Sequence, residues 1–180
     1  MVYMLLGTGF EETEAVAPLD LLRRADVAVT TVGLNGKIIS GSHNIPIVAD
    51  IEISQMNLSD AEMVIIPGGL GGVASIRACK GAMEALKYAW EHNIFVAAIC
   101  AGPTVLADLG ITDGKKTTCY PGCETGMGSA EVDSNLPCVR DGRLITGASA
   151  GCAIPFGLML VEALNGKDTA EAIRKQIVIR

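Results

Sequence analysis

A cysteine at the end of an apolar run is the residue of this sequence best placed to do chemistry. Residues 94–99 are all apolar, Cys100 follows at once, and Ala101-Gly102-Pro103 opens the next segment. A nucleophile at a sharp strand-to-helix turn is lifted above the sheet, and the positive end of the helix lowers the pKa of a thiol there. We therefore predict that Cys100 is a reactive thiolate. The alternative is a buried structural cysteine.

Two other turns carry groups that would serve such a nucleophile. Residues 67–72 include four glycines, and glycine lets backbone N–H groups face a cavity without a Cβ in the way. Two such donors near a nucleophile form an oxyanion hole, so we take the turn that begins with Gly68 as a candidate, with a flexible loop as the alternative. Glu14 follows the Gly7-Thr8-Gly9 turn and is predicted to point toward Cys100 across the sheet edge.

Other catalytic and binding classes find little support. The turn that begins at Gly7 lacks the third glycine of a dinucleotide fingerprint, and Glu11 and Glu12 crowd the place of a pyrophosphate. Those two acids suit the start of a helix, where negative charge complements the macrodipole. We expect His43 and His92 to be structural or surface residues, which leaves a Ser/His/Asp hydrolase without its base.

The order of the elements predicts the fold. Apolar runs at residues 2–6, 27–32, 63–66 and 94–99 are interpreted as strands, and a further short strand is predicted over 116–119. Helices are predicted at residues 14–25, 81–92, 103–109, 154–164 and 169–177, and small hairpins within 37–48 and 138–146. Strands that alternate with helices indicate a doubly wound α/β sandwich with a mostly parallel sheet. Ligands of such folds bind beyond the carboxyl ends of the strands, so the turns after Leu6, Ile66 and Ile99 mark the expected site.

Composition limits the remaining possibilities. The chain has 180 residues, 49% of them hydrophobic, and a net charge of −6, which predicts one domain over residues 1–180. Its longest apolar run is too short to span a membrane, and no basic footprint for nucleic acid is visible. Without a predicted export signal we expect the cytoplasm. The six cysteines include no C-x-x-C pair, so we predict neither a disulfide scaffold nor a metal site.

Five segments of the chain resemble the ThiJ/PfpI superfamily, whose domain is similar to that of class I glutamine amidotransferases. The closest branch is that of the Parkinsonism-associated protein deglycase. The resemblance implies a flavodoxin-like α/β fold, a homodimer, Cys100 as the reactive cysteine and Glu14 as its hydrogen-bonded carboxyl group. It also implies backbone donors at Gly69 and Ala101 and no cofactor. The segments are Gly9-Phe10-Glu11-Glu12-Thr13-Glu14-Ala15, Asp20-Leu21-Leu22-Arg23-Arg24-Ala25, Ile66-Pro67-Gly68-Gly69, Ala98-Ile99-Cys100-Ala101-Gly102-Pro103 and Val161-Glu162-Ala163-Leu164-Asn165-Gly166-Lys167.

Departures from the family pattern narrow the expected chemistry. The protease-like branch has a histidine directly after its cysteine, where this chain has Ala101, and the amidotransferases have a glycine where it has Ala98. Neither activity is therefore expected. In the deglycase branch a histidine stands at the position of Tyr120 and an arginine near that of Ala148. We take Tyr120 and the additional Cys119 as pocket residues.

Two functions from different classes remain open. The first is a cofactor-independent enzyme of glyoxalase or deglycase type, a hydrolase or lyase in which Cys100 attacks a small reactive carbonyl and Glu14 shuttles protons. The second is a redox-responsive or chaperone-like stress protein whose Cys100 is oxidised reversibly. We further hypothesise that Cys119 resolves oxidised Cys100. The remaining cysteines are expected to be spectators, namely Cys79, Cys123, Cys138 and Cys152.

Overall fold

The computed structural model describes residues 1–179 and contains eleven strands and six α-helices within them. The strands are β1 (Val2–Leu6), β2 (Val29–Gly33), β3 (Ile38–Ser40), β4 (Pro46–Val48), β5 (Ile51–Glu52), β6 (Met63–Ile66), β7 (Phe95–Ile99), β8 (Lys116–Thr117), β9 (Glu131–Val132), β10 (Cys138–Asp141) and β11 (Leu144–Gly147). The helices are α1 (Glu12–Arg24), α2 (Leu70–Ala78), α3 (Lys80–Glu91), α4 (Pro103–Asp108), α5 (Ala153–Asn165) and α6 (Lys167–Gln176).

A seven-stranded sheet in the order β10-β11-β7-β6-β1-β2-β5 forms the centre of the molecule. Its strands run parallel, except that β10 pairs with β11 as an antiparallel hairpin. Strands β1, β6 and β7 are fully or almost fully buried, which explains why they are apolar on both faces. The predicted flavodoxin-like α/β fold, with its small hairpin, is confirmed.

Helices cover both faces of this sheet. One hydrophobic core contains α1, α5 and α6 side chains against one face, with Phe156 and Leu22 fully buried. The second core contains α2, α3 and α4 side chains, including Ile76, Leu86 and Val105, against the other face. Alternate residues of each central strand therefore contribute to opposite cores, as the period of two requires.

Most predicted elements are present, with shifted ends. Helix α1 begins at Glu12, two residues earlier than predicted, because the Glu11 side chain caps it by accepting from the Glu14 N–H. The expected hairpins are β3–β4 and β10–β11. Helix α2 is not among the predicted elements, because its first turn contains Gly71 and Gly72 and glycine disfavours a helix. The strand expected over 116–119 is only the two-residue β8.

The topology brings three chain turns to one edge. Strands β7, β6 and β1 are neighbours and parallel, and they end at Ile99, Ile66 and Leu6. The residues that follow them, including the predicted nucleophile and glycine turn, therefore lie close together beyond the carboxyl edge. Within residues 1–179, the helices are all too short or too polar to cross a membrane.

Candidate active site

Cys100 lies on a strained backbone turn directly after β7. Its φ is +65°, a left-handed conformation that costs a residue with a side chain of order 1–3 kcal/mol. Its N–H donates to the carbonyl oxygen of Gly147 at 2.9 Å, and the Gly102 N–H donates to that of Ile99 at 2.9 Å. The turn is thus held from both sides, and it presents a half-buried thiol at the start of α4.

Glu14 reaches this thiol from helix α1. Its side chain is only 1% exposed and lies next to the Cys100 side chain, since a Cβ at Gly68 would touch both. The Gly68 N–H donates to Glu14 Oε2 at 2.8 Å, so the carboxyl group is oriented by backbone as well. The structure therefore places together the two residues predicted as the catalytic pair.

Glycine is required in the turn after β6. A Cβ at Gly68 would lie 2.5 Å from Glu14 Oε2 and 2.6 Å from the Cys100 Cβ. Gly69 has a φ of +84°, and a Cβ there would lie 2.5 Å from the Gly9 carbonyl oxygen. The glycine turn is therefore a close-packed part of the site and not a flexible loop.

Two of the three predicted backbone donors face the sulfur. The N–H groups of Gly69 and Ala101 act on the Cys100 side chain and lower the pKa of its thiol. The Gly68 N–H, the third predicted donor, is used on Glu14 instead. Backbone donors near the Cys100 sulfur could also stabilise an oxygen atom bonded to that sulfur. They could equally stabilise an oxygen on a substrate carbon that the sulfur has attacked.

The ionisation of the pair differs from the prediction for Cys100. Burial raises the pKa of Glu14 to about 7, with the charge of Glu11 adding to the effect. Burial, and next the negative charge of Glu14, raise the pKa of the Cys100 thiol to about 12, while the N–H groups of Ala101 and Gly69 oppose them. The pKa of this thiol is therefore raised and not lowered, because burial and the facing carboxylate outweigh the effects that favour the thiolate.

The pair therefore shares its protons. A thiolate forms readily only when the thiol proton passes to the Glu14 carboxylate, because the carboxylate charge that opposes the thiolate is then gone. At neutral pH, Glu14 is close to half protonated. The arrangement can thus move one proton between an oxygen and a sulfur atom at the mouth of a cavity.

That cavity has a volume of about 270 Å³, which suits a small molecule. Tyr120 contributes to its wall and is 49% exposed, whereas Cys119 is fully buried. Ala148 is also buried, at 6% exposed. The lining residues are Glu11, Gly69, Leu70, Cys100, Ala101, Tyr120 and Cys123.

Cys123 lines the cavity, although the sequence analysis did not place it in the site. It was expected to be a spectator, yet it is half-buried in the wall of the cavity that contains Cys100. The sequence gives little indication that Cys123 belongs to the site. It follows the turn Tyr120-Pro121-Gly122, and the local sequence does not predict that this turn passes over Cys100. Leu70, 80% exposed at the rim, was missed because α2 was missed.

Glu12 has a structural role beyond the helix dipole. Its carboxylate accepts from the His43 N–H at 2.7 Å, the Ser42 hydroxyl at 3.1 Å and the Ile45 N–H at 3.3 Å, and its Oε2 lies 3.0 Å from His43 Nδ1. These bonds hold its pKa down at about 2 against the effect of burial.

A cluster that includes this carboxylate has the composition of a metal site. Glu11, Glu12 and His43 bring ligand atoms within 4.8 Å of one another. The Glu12 oxygens are already occupied by the hydrogen bonds of the 42–45 turn, which accounts for the cluster without an ion. His92, the other histidine, stacks on Tyr88 at the end of α3, in a structural position as predicted.

These features define a class of protein: a doubly wound α/β sandwich with a cysteine on a strand-to-helix elbow, paired with a buried carboxyl group. The family can be stated more narrowly. Residues 1–163 match the DJ-1/PfpI family, and the chain belongs to that family. The resemblance drawn from the sequence motifs is confirmed.

Relatives match along nearly the whole chain. Protein dj-1beta of Drosophila melanogaster is 34% identical over 179 residues, which cover 98% of this chain and 95% of that protein. Its crystal structure superimposes with a TM-score of 0.93, covering 99% of this chain and 97% of the other. The glutathione-independent glyoxalase DJR-1.2 of Caenorhabditis elegans is 30% identical and covers 94% of this chain and 90% of that protein.

Proposed function

We propose that this protein is a cysteine-dependent enzyme of glyoxalase type, acting on small reactive carbonyls with Cys100 as nucleophile and Glu14 as proton shuttle. The observation that carries the proposal is the pairing of a half-buried thiol on a strained elbow with a buried carboxyl group whose pKa is raised to about 7. A relative named as a glutathione-independent glyoxalase supports the same reaction class.

The proposed steps need only side chains of this protein, the substrate and one water molecule. The Cys100 sulfur adds to the aldehyde carbon of an α-oxoaldehyde, and the thiol proton passes through Glu14 to the new oxygen. The Glu14 carboxylate then takes the C–H proton and returns it to the neighbouring carbon, while the hydroxyl proton passes to the neighbouring oxygen, which gives a 2-hydroxy thioester. Water hydrolyses that thioester to a 2-hydroxy acid and frees the thiol. The sum is addition of one water, with no redox cofactor.

Electrostatic stabilisation would come from the two backbone donors at the sulfur. The first intermediate carries an oxygen on the carbon bonded to Cys100, within reach of N–H groups that face the sulfur. Removing one such donor in other enzymes costs about 10²–10³-fold in kcat. We assign this role to Gly69 and Ala101, and the role of holding Glu14 to Gly68.

Turnover of methylglyoxal tests the proposal. We expect lactate by NMR without added thiol, and a loss of at least about 10³-fold in kcat for Cys100→Ala and for Glu14→Gln. Cys79→Ala, at a thiol between α2 and α3, is the matched control and should keep wild-type turnover. Equal turnover in wild type and Cys100→Ala would sink the proposal.

The pH profile tests the role of Glu14. Below its pKa of about 7 the pair holds two protons, and the carboxylate that must accept the thiol proton is lost. We therefore expect kcat/KM to fall tenfold per pH unit below about pH 7. A wild-type profile flat from pH 5 to 8 would contradict the assignment of Glu14 as the shuttle.

A redox-responsive or chaperone-like role of Cys100 is the second candidate. The observation that favours it is that the two N–H donors and Glu14 surround the sulfur, so they would also hold oxygen atoms on an oxidised sulfur. Treatment with a low concentration of peroxide, followed by mass spectrometry, distinguishes the redox role from the enzymatic one. Selective Cys100 oxidation without methylglyoxal turnover favours the redox role.

A deglycase activity, which removes glycation adducts from amines, is tested separately by adding glycated N-acetyl-lysine.

We also propose that the protein is a cytoplasmic homodimer. Val16 on α1 is 48% exposed and lies one turn beyond Glu12, which accepts from the N–H of the 56% exposed Ile45. These side chains supply an apolar surface next to the site, suited to a second copy. Light scattering measures the mass of the particle in solution, and Val16→Glu should shift a dimer toward the monomer. Localisation of the tagged protein in cells tests the compartment.

A further inference from the structure

A second cysteine lines the same cavity as Cys100. Cys123 lines the cavity of about 270 Å³ together with Cys100, Ala101 and Tyr120. It is half-buried, and so is Cys100, whereas Cys119 is fully buried. A small molecule that enters this cavity therefore comes close to both cysteines.

Backbone hydrogen bonds fix the segment that carries Cys123 to the elbow. The Tyr120 N–H donates to the Cys100 carbonyl oxygen at 2.8 Å, and the Cys123 N–H donates to the Tyr120 carbonyl oxygen at 2.9 Å. The second bond closes a tight turn, whose first and last Cα atoms lie within about 7 Å of each other. Cys123 is thus held one turn away from a residue bonded directly to Cys100.

The electrostatic surroundings favour Cys123 over Cys119 as an attacking thiol. Burial raises the pKa of Cys123, as does the charge of Glu124, but the Arg77 guanidinium acts in the opposite direction. Burial raises the pKa of Cys119 to about 11, and the nearby charges of Glu124 and Cys123 add to the effect. A thiolate is the attacking species in disulfide formation, so the cation near Cys123 assists it.

We propose that Cys123 is the resolving thiol of Cys100, so that oxidation of the site by peroxide ends in a Cys100–Cys123 disulfide. This inference rests on the reactivity of Cys100 that the proposed function also requires. It replaces the hypothesis that Cys119 resolves Cys100, because Cys119 is fully buried and Cys123 borders the cavity.

The reaction balances with a peroxide as the oxidant. The Cys100 sulfur attacks one oxygen of hydrogen peroxide, the O–O bond breaks, and sulfenic acid and water form. The Cys123 sulfur then attacks the Cys100 sulfur, its S–O bond breaks, and the oxygen leaves as a second water with the Cys123 proton. Two thiols lose two electrons in total, and a dithiol reductant reverses the change. The disulfide would close the cavity and protect Cys100 from sulfinic acid.

Peroxide oxidation of the full-length protein tests the inference. Wild type and single serine variants are treated with equimolar hydrogen peroxide, blocked with N-ethylmaleimide and digested without reduction. Cys119, Cys123 and Cys138 fall in the same peptide between Lys116 and Arg140, so the variants assign the partner. We expect the disulfide in wild type, Cys119→Ser, Cys138→Ser and the control Cys79→Ser. Cys123→Ser should lack it and accumulate at least severalfold more Cys100 sulfinic acid.

The outcomes separate this inference from the proposed function. Loss of the disulfide in Cys119→Ser, with retention in Cys123→Ser, overturns it in favour of Cys119. Sulfinic acid alone in wild type, or no oxidation of Cys100, also overturns it. Methylglyoxal turnover is measured on the reduced wild type, in a separate assay. A disulfide to Cys123 without turnover supports the inference and rejects the proposed function.

Discussion

The backbone of Gly68 ties helix α1 to the turn after β6 at both of its polar groups. Its N–H donates to Glu14 Oε2 at 2.8 Å, and its carbonyl oxygen accepts from the Glu11 N–H at 3.0 Å. The same residue has no room for a side chain, because a Cβ would meet Glu14 and Cys100. One glycine therefore sets the distance between the helix that supplies the carboxyl group and the elbow that supplies the thiol.

Gly68→Ala is expected to separate the catalytic pair. The added Cβ would lie 2.5 Å from Glu14 Oε2 and 2.6 Å from the Cys100 Cβ, so one of them must move. We expect turnover to fall about 100-fold, as for an ångström-scale misplacement, and the free energy of unfolding to fall by about 1–3 kcal/mol. Methylglyoxal kinetics and urea unfolding measure the two effects.

Gly151→Ala is the matched control for that variant. Gly151 is exposed, and a Cβ there would meet only Ser149 Oγ, at an ordinary 3.8 Å. It should keep wild-type turnover and unfold within about 0.5 kcal/mol of wild type. If Gly68→Ala behaves like Gly151→Ala, the close packing at Gly68 does not position the pair.

The stability of the protein should depend on pH through Glu14. Its pKa is raised from 4.5 to about 7, so the folded state holds this proton more tightly than the unfolded state. Stability from the neutral carboxyl group is fully present below about pH 4.5 and is lost as pH rises through 7. Glu14→Gln, which stays neutral, should therefore gain up to about 3 kcal/mol relative to wild type between pH 4.5 and 8. Urea unfolding at both pH values measures the difference.

A constant difference between Glu14→Gln and wild type across that range would show that the carboxyl group titrates normally. Glu84 provides a control, because its side chain is 66% exposed on α3. Glu84→Gln should show no comparable dependence on pH.

The sequence was sufficient to predict which turns meet, because that follows from strand order. Apolar runs ending at Leu6, Ile66 and Ile99, separated by helices, require parallel neighbours in a doubly wound sheet, and parallel strands place their carboxyl ends at one edge. Residue type and position make Glu14 and Cys100 candidates in this way, and the family resemblance implies their roles as a pair.

What could not be predicted depends on packing at the scale of single side chains. The raised pKa of Cys100 comes from burial and the charge of Glu14, which outweigh the start of a six-residue helix. The position of Cys123 in the cavity wall depends on the hydrogen bonds of an irregular turn. Such a turn has no repeating hydrophobic pattern from which its path could be predicted. Glu12, interpreted as a helix-dipole charge, holds the 42–45 turn across a sequence distance of about thirty residues.

The strain at Cys100 should be measurable without any chemistry. Its φ of +65° favours glycine over a residue with a Cβ, so Cys100→Gly should be more stable than Cys100→Ala by about 1 kcal/mol. Cys79 has a φ of −91°, and there the order should be reversed. Thermal and urea unfolding of the four variants give the comparison. The same order at both positions would contradict a strained elbow.

Glu12 should be needed for the turn that joins β3 to β4. Its carboxylate accepts the N–H groups of His43 and Ile45, so Glu12→Ala leaves those groups without their acceptor. We expect a loss of about 2 kcal/mol in the free energy of unfolding and at least tenfold faster amide exchange at both positions. Amide hydrogen exchange followed by NMR resolves the two N–H groups.

The pH dependence of this effect has the opposite sign to that of Glu14. The pKa of Glu12 is lowered from 4.5 to about 2, so the stability it provides is present above about pH 4.5 and is lost as pH falls toward 2. The difference between wild type and Glu12→Gln should therefore shrink between pH 4.5 and pH 2.5, while Glu84→Gln stays level with wild type. Unchanged exchange at His43 and Ile45 in Glu12→Ala would mean that the turn is held by its own backbone and not by this carboxylate.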